Sequence, residues 1–366
     1  MRWPDGACTR LDSLWLRDNR LEDRDPHSGQ RLVDILDLPA SPRIRSAGWQ
    51  GTRLQVSWID EPDKAASFAL EWLSRQAADV GRMRPELDRQ LWLEGATMDV
   101  SRDFAWLPHD RLIGDPGARL AWSTRLLQQG MAFLSDVPCT DSGILEAMAP
   151  LGQVSATNYG LTFDVRSVPQ PENLAYSDLG LGLHTDNPYR EPVPGFQSLH
   201  ALQTSTEGGD SLFADGIALA EHLRATDPES FAMLTRTRVP FHYQSRDADL
   251  YAERPLVQLD CRGQVAAVHY NNRSIAPLPP AGAGTREFYA AYRKFAALLR
   301  EPRWQARFRL RNGDLVMFDN QRVLHGRTAF LSASQPRHLK GCYLSRDSVF
   351  STVGLLRRRL QQGAPA

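Results

Sequence analysis

The chain has 366 residues, 42% of them hydrophobic and 23% charged, the proportions of a globular protein with a sizeable core in one large domain or two smaller ones. Lysine plus arginine and aspartate plus glutamate both total 43, so the formal net charge is zero and a nucleic-acid binder driven by counterion release is not expected. No run of about 18 apolar residues is present, so no transmembrane helix or membrane partner is expected.

Met1 to Leu16 mixes charges with Pro4 and Gly6 and has no apolar core of a secretory signal. The cysteines Cys8, Cys139, Cys261 and Cys342 form no CxxC pair and read as reduced, buried thiols of a cytoplasmic protein.

Residues 1–95 read as a small, separate N-terminal unit. Within it Arg53 to Trp58 alternates like a strand, and Phe68 to Leu73 carries a helical apolar stripe. Residues 96–118, irregular and rich in Asp, Pro and Gly, read as a linker. From 119 to 366 a larger unit follows. Leu120 to Gly130 reads as a helix closed by glycine, and Met131 to Leu134 as a buried strand. Further short apolar runs stand at Phe196 to His200, Val265 to Tyr270 and Asp314 to Phe318, with helical windows at Ala218 to Thr226 and Arg286 to Arg300. Many short strands between turn signals predict a mainly β sandwich or barrel carrying helices.

Chemistry concentrates in this second unit. His184-Thr185-Asp186 sets a histidine and a carboxylate two residues apart, which on a strand places both on one face. Pro188 then ends that strand, and His325 in Leu324-His325-Gly326-Arg327 offers a third ligand. Two histidines and one carboxylate with open positions are the facial triad of non-haem iron(II) oxygenases. Alone, His-x-Asp is a weak signal, because the same tripeptide occurs as an ordinary turn.

Motifs in order along the chain strengthen it. They are His184-Thr185-Asp186, Thr206 to Ser211, Gly313 to Asn320, His325-Gly326-Arg327 and Arg337. This series resembles the taurine dioxygenase superfamily of Fe(II)/2-oxoglutarate-dependent oxygenases. Trp15 to Asn19, Tyr159-Gly160, Asn173 to Tyr176, Asn271-Asn272 and Arg337 to Tyr343 resemble its γ-butyrobetaine hydroxylase and trimethyllysine hydroxylase branch, over nearly the whole chain.

The resemblance implies an α+β chain with a double-stranded β-helix (jelly-roll) core and a small β-rich N-terminal domain. It implies Fe(II) on His184, Asp186 and His325, with 2-oxoglutarate and O2 as co-substrates and ascorbate as an aid in vitro. Arg337, with Ser211 and Arg327 beside it, would hold the far carboxylate of 2-oxoglutarate. Tyr159, Phe163, Tyr176 and Tyr343 would cage a trimethylammonium group, and Asn173, Asn271 and Arg273 would meet the anionic end of the substrate. A homodimer is implied by the same analogy.

Two departures stand out. Phe163 takes the place of the branch's usual tryptophan. The branch's zinc-binding cysteines and histidine correspond to Arg20, Glu22, Asp25 and Pro62, so no zinc is expected. The expected activity is hydroxylation of a small betaine such as γ-butyrobetaine, with 2-(trimethylammonio)ethylphosphonate as the alternative substrate. A 2-oxoglutarate-independent cupin-type enzyme and a non-catalytic betaine-binding module are the readings from other classes.

Overall fold

The computed structural model describes residues 3, 6, 8–77, 89–92, 98–166, 179–204, 208–279, 284–329 and 337–363. The chain divides into two compact units, Met1–Glu86 and Leu87–Ala366.

The first unit is built on an antiparallel sheet of Ile44–Gln50, Arg53–Trp58 and Ala65–Ala69. Leu54, Val56 and Trp58 alternate inward and pack with Ala66, Phe68 and Leu73. The apolar stripe at 68–73 is not one helix. Phe68 pairs with Leu54 as the end of the third strand, and the helix Leu70–Ala77 starts only afterwards, so sheet pairing overrides the local periodicity. Where the zinc ligands of the resembling branch would fall, arginines meet acids. Arg17, 2% exposed, donates to Glu61 (2.8 Å) and to Asp23, and Arg20 donates to Asp23 (3.1 Å) and to the Ala65 carbonyl (2.8 Å). Glu22 lies 3.6 Å from Arg20, Asp25 is engaged by its own turn at Ser28, and Pro62 follows Glu61.

The second unit begins before the predicted boundary at 95, since Trp92 already packs in its core, 4.9 Å from Phe104. The described part of the expected linker, 98–118, is ordered into that unit. Asp99 caps a helical turn at Val100–Asp103, and Trp106–Pro108 pairs in parallel with Met131–Ser135. Asp115 caps the helix Pro116–Gln129, which has proline at its start and Gly130 in the left-handed region at its end. The Asp and Pro residues there are helix caps rather than loop markers.

Two sheets form the jelly roll. The larger runs Trp106–Pro108, Met131–Ser135, Leu315–Asp319, Phe196–Gln203, His338–Leu344 and Val154–Ser155, with Phe163–Arg166 also on His338–Leu344. The smaller runs Ala306–Phe308, Ser211–Asp215, Val323–Arg327 and Leu181–His184. Strand alternation assigns the two faces of the larger sheet. Ala132, Leu134, Leu315, Met317 and Leu344 pack with the helices Pro116–Gln129 and Gly143–Met148, while Met131, Phe133, Val316, Phe318 and Leu339 pack with Phe213 and Val323 of the smaller sheet. Val265 to Tyr270 is shorter as a strand, Val265–Val268. Among the cysteines only Cys342 is buried. Cys8, Cys139 and Cys261 are free thiols at the surface, against the expectation of burial.

Candidate active site

His184 closes the strand Leu181–His184 and His325 stands opposite it in antiparallel register, their rings 4.3 Å apart. Simple alternation would put Asp186 on that strand, but the strand ends at His184. Asp186 lies past the strand end, and other groups hold its backbone. Its N–H donates to Asn320 Oδ1 (2.7 Å), and Asn320 Nδ2 donates back to its carbonyl (3.0 Å). Thr185 is fixed likewise, donating from its N–H to the Tyr270 carbonyl (2.7 Å) and accepting the Tyr270 N–H on Oγ1 (3.0 Å).

His184 Nδ1 lies 2.9 Å from the Gly182 carbonyl. A carbonyl only accepts, so Nδ1 carries a proton and Nε2 is the ring nitrogen turned toward Asp186. That Nε2 is 3.2 Å from Asp186 Oδ1, and His325 Nε2 is 3.8 Å from Oδ2. One donor atom from each residue lies within 4.8 Å of the others. Burial and the neighbouring His184 pull His325 down to about 3, so its imidazole is uncharged. Burial alone would push Asp186 up, but His325, His184 and the Tyr343 hydroxyl hold it well below the usual carboxylate range. Two imidazoles and one carboxylate, with donor atoms converging, fit a divalent iron ion.

The triad opens into a cavity of about 400 Å³ between the two sheets. Ser211 and Arg327 sit directly across from each other on adjacent strands, and both line the cavity with Arg337. Arg337 is 7% exposed, and burial and the charge of Arg327 pull it down to about 10. An anion between these two guanidiniums relieves both costs.

Aromatic rings line the other side in an arc. Tyr343 and Phe163 are 5.0 Å apart, Phe163 and Tyr159 6.5 Å, Tyr159 and Tyr243 6.5 Å, and Tyr243 and Tyr189 5.1 Å. Tyr189 and Tyr243 escaped the sequence reading. Tyr189 stands only five residues after His184, and Tyr243 alternates inward on the strand Val239–Gln244, so position relative to the triad was the available signal. Gln197, 2% exposed, also lines the cavity and was missed, its Oε1 lacking a hydrogen-bond partner among the described residues. Tyr343 does more than wall the cavity, because its hydroxyl donates to Asp186 Oδ2 (2.8 Å).

Asn271 and Arg273 line the same cavity. Asn271 spends one N–H on the Thr185 carbonyl (3.1 Å) while its oxygen accepts the Arg273 N–H (3.2 Å), which leaves its second N–H to donate to an anionic ligand. Asn173 and Tyr176 lie outside the described residues.

The model of the taurine catabolism dioxygenase family (TauD, TfdA) matches residues 112–343. The γ-butyrobetaine dioxygenase of Pseudomonas sp. (strain AK-1) is 33% identical over 366 residues, covering 97% of this chain and 93% of that protein. The dioxygenase str8 of Strobilurus tenacellus is 32% identical, covering 94% of this chain and 84% of that protein. Among solved structures, a taurine dioxygenase from Burkholderia xenovorans superposes with a TM-score of 0.51 at 16% identity, over 69% of this chain and 88% of that one. That likeness bears on the fold.

Proposed function

As the chain belongs to the taurine catabolism dioxygenase family and is an iron- and 2-oxoglutarate-dependent dioxygenase, we propose that it hydroxylates a small trimethylammonium compound, with γ-butyrobetaine as the default substrate. The observation that carries this reading is the arc of rings from Tyr343 through Phe163 and Tyr159 to Tyr243 and Tyr189, beside His184, Asp186 and His325. A quaternary ammonium has no N–H to donate, so aromatic faces are its natural partners, each ring contributing about 0.5–2 kcal/mol. Phe163 gives a weaker quadrupole than tryptophan would, and Tyr189 and Tyr243 add faces that offset the loss.

His184, Asp186 and His325 would hold the metal. Fe(II), with 2-oxoglutarate and O2, supplies the oxidation, in which 2-oxoglutarate becomes succinate and CO2 while a substrate C–H becomes C–OH. Every other task falls to side chains. Arg337, with Arg327 and Ser211, would hold the far carboxylate of 2-oxoglutarate through charge-assisted bonds. The rings would fix which carbon of the substrate faces the metal. Asn271 and Arg273 would take the anionic end.

Arg273 supports a second substrate. Its side chain has no ion-pair partner among the described residues and lines the cavity, so a phosphonate, with more charge than a carboxylate, would use it well. We further propose a cytoplasmic homodimer, in keeping with four free thiols and the family resemblance. None of the described helices is long and apolar enough to cross a membrane.

The test is succinate release by the purified protein with Fe(II), ascorbate, 2-oxoglutarate and O2, for γ-butyrobetaine, trimethyllysine, 2-(trimethylammonio)ethylphosphonate and taurine. Stimulation by a quaternary ammonium compound is expected, and comparing carboxylate with phosphonate chooses the anionic end. Stimulation by taurine alone contradicts the aromatic cage.

A further inference from the structure

The hydroxyls behind the aromatic arc form a chain of their own. Tyr189 donates to Asn187 Oδ1 (2.6 Å), Asn187 Nδ2 donates to Tyr343 Oη (3.2 Å), and Tyr343 donates to Asp186 Oδ2 (2.8 Å). All three bonds run in one sense and end on a carboxylate, which can only accept, so each donor polarises the next. Tyr189, Asn187 and Tyr343 are 5%, 7% and 4% exposed, which shields these bonds from water. Asn187 reaches both phenols from a left-handed backbone, φ +53°, immediately before Pro188. That conformation is uncommon for any residue but glycine, and asparagine tolerates it best among the rest. Strain of this kind persists where its surroundings hold it and gathers at functional sites.

We propose that Tyr343, backed by Asn187 and Tyr189, is a positioning residue that keeps Asp186 Oδ2 occupied, so that Asp186 serves the metal through Oδ1 alone. Oδ1 lies 3.2 Å from His184 Nε2, whereas Oδ2, 3.8 Å from His325 Nε2, is the one whose hydrogen bond Tyr343 supplies at 2.8 Å. A carboxylate free to chelate with both oxygens would take one of the coordination positions that co-substrate and O2 need. The inference rests on the assignment of the metal to His184, Asp186 and His325, and not on the choice of substrate.

The test uses the full chain loaded with Co(II) in the absence of any organic substrate. Tyr343→Phe keeps the ring and removes only the donor. Its Co(II) affinity is expected to fall about 10-fold or more, the usual cost of losing an outer-shell partner of a ligand. Its visible ligand-field absorption should change as Oδ2 turns to the metal. Tyr189→Phe, two bonds further out, should move the same band in the same direction by less. Tyr251→Phe, an exposed tyrosine bonded to Glu253, should leave both readouts alone. Wild-type affinity and spectrum in Tyr343→Phe overturn the proposal and leave that residue a wall of the cavity. Should Tyr343→Phe not fold, Tyr189→Phe decides on the same band, and an unchanged spectrum overturns it. Failure of the wild-type protein to bind Co(II) overturns the metal assignment together with this inference, whereas a negative succinate panel touches only the substrate reading.

Discussion

At the scale of single residues, Arg337 gives the sharpest prediction. It lines the cavity and is buried there, where burial and the charge of Arg327 both disfavour its own charge, so a bound carboxylate would favour it. Replacing it with methionine keeps the bulk and removes charge-assisted bonds that are worth about 1.5–3 kcal/mol each. The expected outcome for Arg337→Met is a KM for 2-oxoglutarate raised roughly 10- to 100-fold, with a far smaller change in KM for the organic substrate. Initial-rate kinetics with each substrate varied in turn would check it, and equal changes in both would mean that Arg337 serves the fold rather than the co-substrate. His184, Asp186 and His325, whose donor atoms the fold brings together, were legible in the sequence because few side chains can ligate iron, whereas Arg337 was singled out by the family resemblance. The hydroxyl of Tyr343 on Asp186 was not, since nothing in a linear sequence says which of its neighbours a phenol will meet across a sheet.

Elements hold the aromatic faces in place. Phe163 pairs with Gly341 across adjacent strands, and its ring lies over the glycine so closely that an added Cβ would fall 2.4 Å from ring carbons. Gly341→Ala must therefore push the ring aside or part the strands. It should raise KM for the trimethylammonium substrate several-fold and leave KM for 2-oxoglutarate near wild type. Steady-state kinetics together with a circular dichroism melt would separate a displaced ring from a damaged sheet, and unchanged substrate KM would argue that Phe163 is not part of the cage.

Phe196 to His200 and, of the run Asp314 to Phe318, Leu315 to Phe318 lie in strands of the larger sheet, Phe196–Gln203 and Leu315–Asp319, because packing against partners on both faces makes such runs apolar. The helix Pro228–Arg236 went unread although Asp227 and Pro228 announce it, Asp227 accepting the Ser230 N–H (3.0 Å). Residues 98–118 were misread for the same reason. An aspartate before a proline marks a helix start as readily as a loop, and only the residues it caps decide which.

The whole molecule combines two kinds of stabilisation. The second unit rests on its jelly-roll core; short apolar runs between turn signals announced a β sandwich or barrel, and the family resemblance implied the jelly roll. The first unit pins its helix Ser13–Asp18 to the turn at Glu61 through a buried arginine, Arg17, next to the positions Arg20, Glu22, Asp25 and Pro62 where the resembling branch implies zinc ligands. Loss of thiolate ligands was visible in the sequence. The ion-pair cluster at those positions was not, because Arg17 and Glu61 are 44 residues apart and only the folded sheet brings them together.

On this reading the molecule couples oxidation of 2-oxoglutarate to hydroxylation of a quaternary ammonium compound at one metal site. Mass spectrometry of both products after turnover under 18O2 tests it most directly. The account predicts one labelled oxygen in succinate and one in the hydroxyl group of the organic product, in equal amounts. A product hydroxyl drawn from water, or succinate released with no hydroxylated partner for any quaternary ammonium compound, would contradict it.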